Sequence, residues 1–200
     1  MLSDDCLYQH PEAFFKYMRN HMDFRKAEPN IAHRKISELQ LTRDVSVITQ
    51  NIDGLHEKAG SKRVHAIHGT MSQYSCTECF CNDYAPEEVV SGVFDDENNI
   101  PRCPKCGGVI RPDIVLYGEG MAMPAWTDAQ IASMNCDLMI IVGTSLTVYP
   151  AAYIPMNLYG RHMVIINREP THMDNSAHLV FHEDIREVFD KIIIPQGVFA

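Results

Sequence analysis

Three stretches of the chain carry short, nearly unbroken apolar runs rich in β-branched residues: 45–49 (VSVIT), 138–142 (LMIIV) and 162–167 (HMVIIN). Each ends abruptly in polar or glycine residues: Gln50-Asn51, Gly143-Thr144-Ser145 and Asn167-Arg168-Glu169. Continuous runs, as opposed to strict alternation, predict parallel strands buried on both faces. Helical spacing occupies the intervals. Phe14, Phe15, Met18 and Met22 share one face of 11–22, and Ile31, Ile36 and Leu39 form a stripe behind an Asn30 N-cap. Residues 124–134 predict a further helix, and Pro150 opens another. Residues 184–193 place Ile185, Val188, Phe189 and Ile192 together. A helical turn at 55–59, short strands at 64–67 and 179–181 and an extended run at 109–117 complete the pattern. Strands alternating with helices predict an α/β fold with a Rossmann-like parallel sheet.

Composition narrows this reading. Two hundred residues with a 46% hydrophobic share suit one domain with a small insertion. No run approaches the ~18–20 apolar residues of a membrane span, and the first residues lack a signal-peptide pattern, so a cytoplasmic protein is expected. A net charge of −9 argues against direct nucleic-acid binding and is compatible with lysine-rich partners.

Seven cysteines in such a chain favour metal binding over disulfides. Cys76-x-x-Cys79 and Cys103-x-x-Cys106 lie 23 residues apart and present two pairs of thiolates, the tetrahedral set of one structural Zn2+. Four sulfurs leave no position for a water, so the expected metal is structural. Lys105 and Gly107-Gly108 suit a knuckle. Cys81, two residues past Cys79, is either a competing ligand or a spare thiol, and the symmetry of the pairs favours the spare thiol. Cys6 and Cys136 read as buried or idle. The acidic stretch 85–100 reads as a solvated helix and loop. The module is an insertion, 70–113, between Rossmann-like parts 29–69 and 114–200 of a single domain, 1–200.

Polar groups just beyond the carboxyl ends of buried strands are where ligands bind in α/β proteins. Gln50, Asn51 and Asp53 offer two amides and a carboxylate, and His68 offers a general base. The same residues also suit an ordinary polar turn with a surface histidine. Gly143, Thr144 and Ser145 at a strand end suit phosphate oxygens. Glu169, just past a strand, suits ribose hydroxyls.

Taken together and in order, PNIAH at 29–33, TQNIDGLH, the HG of His68-Gly69, the two Cys-x-x-Cys pairs, RPDIVLYGE, GTSLTVYPAA and INRE resemble the sirtuin family of NAD-dependent protein-lysine deacylases. The resemblance implies an acyl-lysine protein or peptide substrate, NAD as cosubstrate, and release of nicotinamide and O-acyl-ADP-ribose. It implies catalysis by His68 as general base with Asn51 and Asp53. Gln50, Asn51, Ile52, Asp53, Gly143, Thr144, Ser145, Asn167, Glu169 and Ile185 would contact the cofactor. Val115, Gly118 and Glu119 would form the wall of an acyl-lysine peptide groove, with Leu116 where the family often has an aromatic. His33, His56 and His65 fall at structural or solvent-facing positions.

One departure stands out. No strand runs into a G-x-G turn, so the family's first, central strand and its glycine-rich loop are expected to be missing, leaving two strand edges bare. Either Met1 is an internal start of a longer protein, or the short form is genuine and impaired. A zinc-stabilised peptide-binding module and a protein ADP-ribosyltransferase therefore remain alternatives.

Overall fold

In the computed structural model, which describes residues 1–158 and 161–194, the chain runs α1 (Asp4–Gln9), α2 (Pro11–His21), α3 (Ile31–Leu39), β1 (Val47–Thr49), α4 (Leu55–Lys58), β2 (Val64–Ala66) and β3 (Gly69–Cys76). It continues through α5 (Pro86–Val90), β4 (Ile110–Ile114), α6 (Met123–Asn135), β5 (Leu138–Val142), β6 (His162–Ile166), β7 (Leu179–Phe181) and α7 (Ile185–Asp190). Two 3-10 turns, Ala151–Asn157 and Asp174–Ser176, fall in the later connections. None of these helices is long and apolar enough to cross a membrane. The contacts divide the chain into two units: residues 1–27, 51–54 and 68–122, and residues 28–50, 55–67 and 123–200.

The first unit is built on the antiparallel pair β3–β4, whose register slips between Thr70 and Tyr74. Helix α2 lays Phe14, Phe15 and Met18 against Ile100, Ile114 and Leu116, with Ile52 at the margin of that cluster. A second cluster joins Tyr74, Cys76, Tyr84, Val89, Cys103 and Ile110. Stretch 85–100 is thus only partly solvated: Val89 and Ile100 are core residues, and its Asp95 takes a bidentate hydrogen bond from Arg19 of α2 at 2.6 and 2.7 Å. The apolar pattern does not announce α1 or β3. Helix α1 is set by its Ser3 cap, which accepts from the Cys6 amide, and β3 by pairing with β4.

The second unit holds the parallel strands. They form two ladders, β1–β2 and β5–β6–β7, and not one continuous sheet. Helix α3, capped by Asn30 Oδ1 on the Ala32 and His33 amides, joins a cluster of Ala32, Ile166, Val188 and Phe189. A separate cluster, centred on Ile141, Met163 and Ile165, forms beside β5 and β6. The expectation of a fully buried strand at 138–142 is corrected here. Leu138 is 48% and Ile140 43% exposed on one face while Ile141 on the other is buried, and among the described strands β5 pairs only with β6, so this strand is covered on one face and lies at an edge.

Candidate functional site

In the first unit, backbone bonds tie the turn after β1 to β3 and tie His68, which directly precedes β3, to the residue after β4. Met71 N–H, in β3, donates to Ile52 O at 2.9 Å, and Val115 N–H donates to His68 O at 2.9 Å. Ile52 packs against the α2 cluster, which holds the Asn51-Ile52-Asp53 turn from beneath. His68 and Asp53 are half-buried and Asn51 is exposed, so the corner opens to solvent with an imidazole, an amide and a carboxylate on it. Gly69 makes the approach of β3 to β4 possible. Its φ is +78°, and a Cβ there would lie 2.0 Å from Asp113 O.

The segment after β4 is held by an ion pair that the sequence reading did not single out. Arg111 binds both oxygens of Glu119, with Nη2 3.0 Å from Oε2, and the same Nη2 donates to Ile114 O at 2.6 Å. Glu119 Oε2 also accepts from Leu116 N–H at 2.8 Å. Burial pushes the Glu119 carboxyl up, but Arg111 and the Leu116 amide outweigh it and hold it below its ordinary value. The carboxylate is therefore turned onto its own loop, beside Val115, Gly118 and exposed Tyr117.

In the second unit the ladder extends one residue past its strands. Gly143 N–H donates to Ile166 O and Asn167 N–H to Phe181 O, both at 3.0 Å, so the two loops leave side by side. Gly143 has φ +60°, and a Cβ on it would lie 2.8 Å from Ile185 Cδ1, which puts Ile185 against the first loop. Thr144 Oγ1 accepts from Leu146 N–H, and Ser145 Oγ lies 2.7 Å from Thr147 Oγ1. Asn167 Nδ2 donates to Glu169 O at 2.7 Å, and Glu169 is exposed. Asp184 caps α7 through the Arg186 amide and pairs with Arg186 and Arg168, whose hydrogen bonds depress its carboxyl. Gln50 belongs to this unit as well, at the tip of β1. Hydroxyls, an amide and a carboxylate grouped at parallel strand tips fit a dinucleotide's phosphate and sugar oxygens. His33 and His56 stack on one another with centroids 4.6 Å apart, and His65 pairs within the β1–β2 ladder.

The cysteine cluster lies in the first unit. Cys76 and Cys106 sulfurs are 3.4 Å apart, and Cys79 and Cys103 sulfurs 3.7 Å. The amides of Glu78 and Lys105 donate to Cys76 Sγ and Cys103 Sγ at 3.4 and 3.3 Å. At metal–sulfur distances of ~2.3 Å, tetrahedral thiolates sit about 3.8 Å from one another, so the cluster fits a structural zinc. Cys81 also enters it: Cys76, Cys79, Cys81 and Cys103 sulfurs all lie within 4.8 Å of one another. Tyr84, also missed by sequence reasoning, donates its phenol to Cys103 Sγ at 3.0 Å and lies 2.7 Å from Cys81 Sγ. Burial raises the Cys103 thiol, yet Tyr84 and the amides of Lys105 and Cys106 outweigh it and hold it well below the usual range.

A family model described as the Sir2 family matches residues 1–150. The chain belongs to the Sir2 family. That is the family of the sirtuins, and the Sir2 relatives are close. An NAD-dependent protein deacetylase of Cutibacterium acnes is 40% identical over 193 residues, covering 96% of this chain and 76% of that protein. One of Clostridium acetobutylicum is 38% identical over 197 residues, covering 96% and 77%. Among solved structures, a Sir2–p53 peptide–NAD+ complex superposes with a TM-score of 0.89 at 36% identity, covering 96% of this chain and 80% of that one. A Sir2 bound to a propionylated peptide gives 0.89 at 36% identity, covering 95% and 81%. The Sir2 likeness establishes the Rossmann-like sirtuin fold for this chain.

Proposed function

We propose that this chain is an NAD-dependent protein-lysine deacylase that converts an acyl-lysine to free lysine and releases nicotinamide and O-acyl-ADP-ribose. One observation carries the reading beyond family membership: β3 and its neighbour hold His68 and the Asn51–Asp53 turn through the Ile52–Met71 and His68–Val115 backbone bonds. A base and its orienting polar groups are thereby kept on rigid elements.

NAD, when bound, supplies a ribose carbon made electrophilic by its nicotinamide leaving group. His68 takes a proton from a sugar hydroxyl at a ring nitrogen, a role worth ~10²–10⁴-fold in rate. Asp53 and Ile52 contact the carboxamide, and Gln50 and Asn51 hold the ribose and a water. Gly143, Thr144 and Ser145 receive phosphate oxygens, Asn167 and Glu169 the second ribose, and Ile185 the adenine face. Val115 and Gly118 line the wall of the groove that takes the substrate peptide. Glu119 acts there through Arg111 and Leu116, as a positioning residue. Zinc on the cysteine cluster holds the 70–113 module in shape and takes no part in the chemistry.

Incubating the chain with NAD and an acetyl-lysine peptide tests this. Nicotinamide release with deacetylated peptide is expected, and His68→Ala should reduce formation of the deacetylated peptide by about 10²–10⁴-fold without lowering the melting temperature. Peptide binding without nicotinamide release would favour the binding-module alternative, and an ADP-ribose-bearing peptide would identify a transferase.

A further inference from the structure

The cysteine cluster contains one more thiol than a tetrahedral metal needs, and the chain is shaped to bring it there. Cys81 Sγ lies 3.1 Å from Cys79 Sγ and 3.7 Å from Cys103 Sγ, and within 4.8 Å of Cys76 Sγ. Its position is anchored by the backbone, because Cys76 N–H donates to Cys81 O at 2.9 Å. Between Cys79 and Cys81 stands Phe80, in the left-handed region at φ +56° and almost wholly exposed. A bulky side chain seldom adopts that backbone. Here the turn folds two cysteines, i and i+2, toward one point. Gly107 follows Cys106 with the same hand, φ +78°, but no cysteine comes after it. Tyr84 Oη reaches both Cys81 and Cys103, so the fifth thiol is hydrogen-bonded into the cluster. Cys106 is exposed, as Cys79 is; its sulfur lies 3.4 Å from Cys76 Sγ and also interacts with Cys79 and Cys103, but it is not among the four sulfurs that all lie within 4.8 Å of one another.

We propose that Cys81 is a substitute metal ligand: Cys76, Cys79 and Cys103 hold Zn2+ permanently, and Cys106 and Cys81 exchange in the fourth position. The exchange breaks the Zn–S bond of Cys106 and forms one to Cys81. The proton leaving Cys81 is balanced by the one Cys106 gains, with no change in oxidation state or in the number of bound sulfurs. Such a site keeps its metal when Cys106 is lost, as a four-cysteine site does not. The inference rests on the zinc reading and goes beyond it.

The test compares wild type with C81S, C106S and the double variant C81S/C106S, each purified with zinc and assayed for metal content, then loaded with cobalt. Wild type and both single variants should hold one zinc per chain, and the double variant should lose it to a chelator at least tenfold faster. The cobalt form of C106S should keep the thiolate-to-metal absorption intensity of wild type. A C106S protein that lacks zinc, or whose cobalt band falls to that of three sulfurs, overturns the proposal. Wild type without zinc overturns the zinc reading itself. Because a variant could misfold, the zinc-loaded wild type is also treated with limiting iodoacetamide and mapped by mass. Within the cluster, label should appear at Cys81 in some molecules and at Cys106 in others. Label at Cys81 alone overturns the exchange.

Discussion

Gly69 shows how much of the site depends on a single hydrogen atom. With a Cβ-to-carbonyl distance of 2.0 Å and φ +78°, no side chain fits without moving β3 away from β4. Gly69→Ala should therefore cost about 2–4 kcal/mol, read as a lower denaturation midpoint, and should depress turnover by shifting neighbouring His68. The residues proposed for the reaction were picked from the sequence because their types are chemically suggestive at a strand end: Asn51, Asp53 and His68 stand out against apolar runs, as does Gln50 at the tip of β1. Arg111, Tyr84 and the role of Cys81 were not. An arginine near a carboxylate, or a tyrosine near a thiol, is common in any sequence, and only folding decides which pairs meet.

At the scale of elements, the loop after β4 and the edge of β5 make contrasting predictions. The Glu119 carboxyl is held below its ordinary value of 4.5, so the stability it contributes is present above that value and fades as pH falls through the depressed one. Glu119→Gln should thus destabilise by about 1–3 kcal/mol near neutrality, with Arg111 left without its carboxylate, and progressively less in acid. Urea midpoints between pH 3 and 7 will show the two proteins converging at the acid end; parallel curves would remove Glu119 from this role. Strand β5 is half bare. Leu138→Lys should change stability by no more than about 0.5 kcal/mol, whereas Ile165→Ala, at a fully buried position on neighbouring β6, should cost about 2–5 kcal/mol. Apolar runs alone cannot make this distinction. The LMIIV and HMVII stretches look alike, and the difference lies in whether a further strand pairs beyond them.

For the molecule as a whole, the division into two units predicts that they lose structure separately. Stripping zinc with a chelator should expose amides around Cys76–Val109 to rapid exchange, because metal binding there is also folding free energy. The β5–β6–β7 ladder, whose cores contain no cysteine ligand, should keep its protection. Hydrogen exchange with and without chelator measures both at once; equal loss in the ladder would contradict it. By itself the sequence determined the α/β class, the positions of the strands other than β3, the Sir2 resemblance and a thiol-rich metal module, because hydrophobic period and ligand spacing are local properties of a chain. The tertiary structure alone decided that the parallel strands split into two ladders, that Glu119 turns onto Arg111, and that five sulfurs converge where spacing pointed to four. Those depend on pairing between residues far apart in the chain, and no local pattern encodes which distant partner will be reached.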